Sequence, residues 1–176
     1  SDGFNRLVLL AGLTAREATV LRAYGKYLRQ IGFAFSQAYI ESTLAAHPAI
    51  VADLLALFHA RFDPGLGEER PGREHEVRER LRAALDEIPS LDDDRICRAF
   101  LTLTDATVRT NYFRDRAELA FKFDPAAIPE LPLPRPKHEI WVCGPRVEGV
   151  HLRGGSIARG GLRWSDRRED FRTEVL

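Results

Sequence analysis

The sequence predicts an α+β protein: a mostly helical N-terminal two-thirds, then three short strands and the start of another helix. Three observations predict it. Apolar residues recur at spacings of three and four as far as Thr107, the period of a helix face. Pro125, Pro129, Pro132, Pro134 and Pro136 then crowd a stretch that neither a helix nor a central strand would tolerate. Beyond them, short apolar runs alternate with Gly-Pro and Gly-Gly pairs, the pattern of strands closed by turns. The corresponding division is a helical domain at 1–122, an extended Pro-rich linker at 123–137 and the N-terminal piece of a second domain at 138–176.

The elements follow in order. Thr14-Ala15-Arg16-Glu17 has the capping-box form, in which a hydroxyl and a carboxylate satisfy two orphan amides at a helix start. Leu21, Tyr24, Leu28 and Ile31 continue that helix on one face, and Gly32 is its expected end. Ser36 is the expected cap of a second helix through Tyr39, Ile40 and Leu44. Pro48 suits a first helical position and opens a third, with Ile50, Val51, Leu54, Leu55, Phe58 and Phe62 as a broad apolar stripe. Such a stripe faces either its own core or another subunit. Asp63-Pro64-Gly65 stops this helix, and residues 64–75, rich in Gly, Pro and charge, read as an exposed loop. A fourth helix carries Val77, Leu81, Leu85 and Ile88 up to Pro89. A fifth begins in Leu91-Asp92-Asp93-Asp94, where the carboxylates suit the positive end of the helix dipole. After the prolines, His138–Cys143, Val147–Arg153 and Ser156–Trp164 read as strands, with hairpin-length joins that favour antiparallel pairing. Asp166 with Glu169 repeats the capping-box pattern, and Phe171 and Val175 begin a last helical stripe.

Composition excludes several classes of function. Over 176 residues, 26 basic side chains balance 26 acidic ones, which removes a whole-molecule electrostatic case for nucleic acid or an anionic membrane. Trp141 and Trp164 stand beside arginines and could stack on bases, but without net positive charge this carries little weight. A hydrophobic content of 44% with 30% charged residues is globular, and no apolar run approaches the ~20 residues of a membrane span. The N-terminus lacks the layout of a secretory signal, so the expected location is cytoplasmic. The chain lacks Met entirely, which suggests excision from a longer polypeptide. Cys97 and Cys143 lie far apart and read as reduced structural thiols. His138, Cys143 and His151 are close in sequence, but a separation of five puts His138 and Cys143 on opposite strand faces, so no metal is expected. The acidic triplet lacks the spacing of a calcium loop.

The segment Arg159-Gly160-Gly161-Leu162-Arg163-Trp164 is where chemistry concentrates. Paired glycines let a backbone approach a ligand, and flanking guanidiniums offer planar forks for carboxylate or phosphate. The same glycines also suit a bulge, with the arginines paired to Asp166, Glu169 and Asp170 on a solvated surface, and spacing alone favours that plainer reading.

Arg159 through Leu176 resembles the start of the catalytic region of the large bacterial NAD-specific glutamate dehydrogenases. Glu130–Pro136, Gly144–Arg153 and Asp105-Ala-Thr-Val-Arg-Thr-Asn-Tyr-Phe113 strengthen the resemblance, which spans essentially the whole chain. It implies that 138–176 opens a glutamate-binding domain, in a homo-oligomeric parent that converts L-glutamate to 2-oxoglutarate and ammonium with NAD. In the wider superfamily a Lys-Gly-Gly-Leu/Ile-Arg segment binds a carboxylate of glutamate through its Lys. That position is Arg159 here, followed by Gly160, Gly161, Leu162 and Arg163, so these are the expected substrate-binding residues. Arg163 has the alternative of pairing with a carboxylate and bracing its strand. The family's catalytic Lys lies in a later Lys-Gly-Gly motif, and neither Lys26, Lys122 nor Lys137 precedes Gly-Gly. No G-x-G-x-x-G occurs either, so the catalytic Lys and the NAD site are expected outside this segment. The non-enzymatic alternative is a helical assembly or regulatory module linking regulatory domains to the catalytic one.

Overall fold

Capping chemistry sets the helix starts in the computed structural model, which describes residues 2–164 and 171–176. After a single 3-10 turn at Gly3–Asn5, α1 spans Arg6–Leu10. Helix α2 spans Ala15–Gln30, and its capping box is formed: the Glu17 amide donates to Thr14 Oγ1 at 3.0 Å and the Thr14 amide to Glu17 Oε1 at 2.8 Å. Gly32 follows with φ of +79°, the left-handed conformation that ends a helix with little strain only at glycine. Ser36 caps α3, Gln37–Ala46, by accepting from the Tyr39 amide, and Pro48 opens α4, Pro48–Phe62. Helix α5 spans Arg70–Asp86 and α6 spans Leu91–Ala106, the latter with Asp92, Asp93 and Asp94 in its first turn.

Residues 64–75 correct the expected loop. A 3-10 turn at Gly67–Glu69 leads into α5 at Arg70, so Pro71 and Gly72 are already helical. A proline in the first turn gives up only an amide that has no partner there, so the residue that looked like a breaker is compatible with a start. Arg70 also caps the preceding helix, donating to the carbonyls of Arg61 and, at 2.6 Å, Asp63.

The chain forms two compact units, Ser1–Arg22 with Phe35–Thr104, and Ala23–Ala34 with Asp105–Leu176. The first is helical. Its core takes Leu44, Val51, Phe58, Leu81 and Phe100, all at most 1% exposed. In the apolar stripe of α4, Ile50, Val51, Leu54, Leu55 and Phe58 are buried and Phe62 is partly so. That coverage within one chain removes the stripe as a subunit interface. No single helix among the described residues is long and apolar enough to cross a membrane; α3 and α4 would qualify only as a pair bent by 97°.

The second unit holds five strands, two more than the sequence reading has. They are β1, Thr107–Thr110; β2, Leu119–Phe123; β3, His138–Cys143; β4, Val147–Gly154; and β5, Ile157–Trp164. The two additional strands are short and precede the prolines. In β2 the alternation Leu-Ala-Phe-Lys-Phe is nevertheless a strand signal, and its burial alternates accordingly. All neighbours are antiparallel in the order β1-β2-β3-β4-β5, leaving β5 at an edge. Register places Phe121, Trp141 and Val150 side by side on one face. Tyr24 and Tyr27 of α2 pack there, 5.0 Å from Phe121 and 4.6 Å from Phe123 between ring centroids, and Trp141 Nε1 donates to the Ala23 carbonyl. Residues between β2 and β3 are not uniformly extended: Pro125–Ala127 form a 3-10 turn, and Ile128 and Leu131 are buried. The short α7, Arg172–Val175, follows β5; the Asp166–Glu169 capping pattern lies outside the described residues.

Candidate functional site

Side chains alternate across a strand, so Arg159, Gly161 and Arg163 share one face of β5 and Gly160 points to the other. On the first face they stand opposite Leu152, Val150 and Glu148. The three positions meet different surroundings.

Arg163 is committed to structure. Its Nη2 and Nε lie 2.8 and 3.0 Å from Glu148 Oε2, and Lys26 Nζ lies 3.2 Å from Glu148 Oε1. Glu148 is 1% exposed, so burial demands this compensation. The Arg163 guanidinium also sits 4.7 Å from the Phe171 ring centroid. Gly161 is needed for packing, since a Cβ there would stand 2.7 Å from Val175 Cγ2 of α7. At Gly160 a Cβ would meet the Val150 carbonyl at 3.2 Å, tight but on the exposed side.

Arg159 differs from Arg163. It is exposed, donates from Nη1 at 2.5 Å to the main-chain oxygen of Leu176, the last residue of the sequence, and has no Asp or Glu partner among the described residues. It lines a cleft of about 190 Å³ whose other walls include Pro134, Arg135, Pro136, Leu152, Ile157 and Leu176. The sequence reading placed Arg159 in an anion site. It gave Arg135 no role, placing it in the linker and in the Glu130–Pro136 run that strengthens the resemblance; the one available signal is a guanidinium set between two prolines.

A second charged constellation is interior. Arg172 and Glu139, both fully buried, pair through two contacts of 2.5 and 3.0 Å, and Gln30 Oε1 accepts from the Phe171 and Arg172 amides. Burial, then the Glu139 charge, push the Tyr27 hydroxyl well above the usual phenol range, so it stays protonated. Cys97 is no nucleophile: burial, followed by Asp93 and Asp94, pushes its thiol up to about 12. Cys143 is also buried and in no disulfide. His47 and His59 are occupied by Asp93 and Glu17. Among the described residues, no three His, Cys, Asp or Glu side chains converge as a metal site.

An antiparallel sheet bearing a small cleft lined by two arginines, in one chain with a helical unit, defines an α+β module. The chain belongs to the bacterial NAD-glutamate dehydrogenase family: residues 80–176 match the model described as the catalytic domain of that enzyme. Residues 1–64 match the model described as glutamate dehydrogenase, helical motif 3. Similar curated proteins carry the name NAD-specific glutamate dehydrogenase. That of Halomonas elongata is 54% identical over 100% of this chain, and that of Mycobacterium tuberculosis 55% over 99%. A more distant one, from Neurospora crassa, is 30% identical over 73% of the chain. The chain spans 11% of the length of the first two relatives and 13% of the third.

Proposed function

We propose that this chain is part of an NAD-dependent glutamate dehydrogenase and that it supplies part of the carboxylate site of the substrate. The reaction converts L-glutamate, NAD and water into 2-oxoglutarate, NADH, ammonium and a proton. Arg159 binds the side-chain carboxylate, and Arg163 braces β5 through Glu148. The observation that carries this reading is the Arg159 guanidinium lining a cleft with no Asp or Glu partner among the described residues. A permanently charged planar fork there matches a carboxylate in charge and geometry.

NAD supplies the hydride acceptor when bound. This segment has neither the glycine-rich fingerprint that cradles a dinucleotide nor a Lys-Gly-Gly, so both fall to the remainder of the protein. What this segment does is hold and orient substrate. In the full-length dehydrogenase, Arg159→Ala is expected to lower kcat/KM for glutamate by about tenfold or more, the effect of losing a charge-assisted hydrogen bond. Steady-state kinetics check it, and unchanged KM and turnover would remove Arg159 from the site.

A further inference from the structure

The cleft contains a second cation that the resemblance did not supply. Arg135 lines it together with Arg159, and neither side chain has an Asp or Glu partner among the described residues. Other arginines of the chain, Arg22, Arg80, Arg98, Arg163 and Arg172 among them, do pair with carboxylates. Two like charges beside apolar walls repel each other, and an anion between them turns that repulsion into two attractions.

Main-chain oxygens hold both guanidiniums. Arg135 Nε donates to the Leu131 carbonyl at 3.4 Å and Nη2 to the Pro129 carbonyl at 3.0 Å, which fixes the guanidinium and leaves Nη1 without an acceptor among the described residues. Arg159 commits only Nη1, to the Leu176 carbonyl, so Nε and Nη2 remain. A guanidinium held before the ligand arrives loses little freedom on binding. The cleft, about 190 Å³, is smaller than the ~300–1,000 Å³ of sites that enclose a whole drug-sized ligand. It suits one end of a small molecule, with Pro134, Leu152 and Ile157 against methylenes and the two guanidiniums on a terminal carboxylate.

We propose that Arg135 is a second substrate-positioning residue, which together with Arg159 selects the distal carboxylate of a dicarboxylic amino acid. This rests on the reading of Arg159 given above.

The test compares glutamate with norvaline, which has the same carbon chain and amino group but no distal carboxylate, in the full-length dehydrogenase. Where norvaline turns over too slowly, its inhibition of glutamate oxidation gives its affinity. Arg135→Gln is expected to lower kcat/KM for glutamate about tenfold or more while changing norvaline less than about twofold, with Arg135→Lys intermediate. An equal loss for both substrates would mean that Arg135 only braces the Pro129–Leu131 backbone, and overturns the inference. If Arg159→Gln abolishes discrimination and Arg135→Gln does not, the inference fails while the role of Arg159 stands. If neither variant changes discrimination, both readings fail together.

Discussion

At Gly161 the space a side chain would occupy is taken by a neighbour. A Cβ there would fall 2.7 Å from Val175 Cγ2, and the Phe171 ring follows at 3.8 Å. Val175 is β-branched and stiff at χ1, so it can yield only by a rotamer change or by moving α7. Gly161→Ala is therefore expected to cost about 1–2 kcal/mol by overpacking. In a Val175→Ala background most of that cost should disappear. Urea unfolding of the four proteins in the cycle measures the coupling, and equal costs in both backgrounds would show that the glycine is not there for α7. Sequence reasoning had taken both glycines as one feature, a bare backbone beside a ligand. They separate in the structure because adjacent strand residues face opposite sides, so only Gly161 meets α7. The same alternation puts Arg159 and Arg163 on one face, but four residues along a strand is about 13 Å. One guanidinium reaches the cleft while the other lies on buried Glu148.

Among the elements, helix boundaries were the most legible feature because their causes are local. The Thr14–Glu17 box, the Ser36 cap, the Pro48 start and the acidic first turn of α6 all involve groups within a few residues of one another. Thr14→Ala removes the acceptor of the Glu17 amide and should destabilise the protein by about 1 kcal/mol, while Thr14→Ser should be near neutral. Thermal unfolding of both variants checks this; equal losses for Ala and Ser would point to the threonine methyl rather than the hydroxyl. The start of α5 was less legible. Arg70 is held by carbonyls at the end of α4, seven to ten residues earlier, and no local pattern announces that contact. The strands β1 and β2 were missed for a related reason. Four or five residues give too few alternations to outweigh the helical period before them, and only pairing with β3 makes β2 a strand.

For the whole molecule, the relevant prediction concerns what the chain does unaided. It carries a proposed carboxylate site but neither Lys-Gly-Gly nor a dinucleotide fingerprint. The 176-residue chain alone is expected to show no NADH formation from glutamate and NAD, followed by absorbance at saturating substrate. Measurable turnover would mean that the reaction needs neither motif in the form the family uses. The sequence by itself determined the α+β class, the helix starts other than that of α5, the antiparallel strands after the prolines and the family. These follow from periodicity, capping chemistry and an ordered run of residue types, all of them properties of neighbours along the chain. Only the tertiary structure decided which cations pair with buried carboxylates and which line the cleft. Arg135, Arg159, Arg163 and Arg172 are chemically identical, and what separates them is the company that folding brings. Glu139 takes Arg172, Glu148 takes Arg163, and the other two are left facing a cleft. Charge pairing depends on distance in space, and residues 135 and 159 become neighbours only when the sheet has formed.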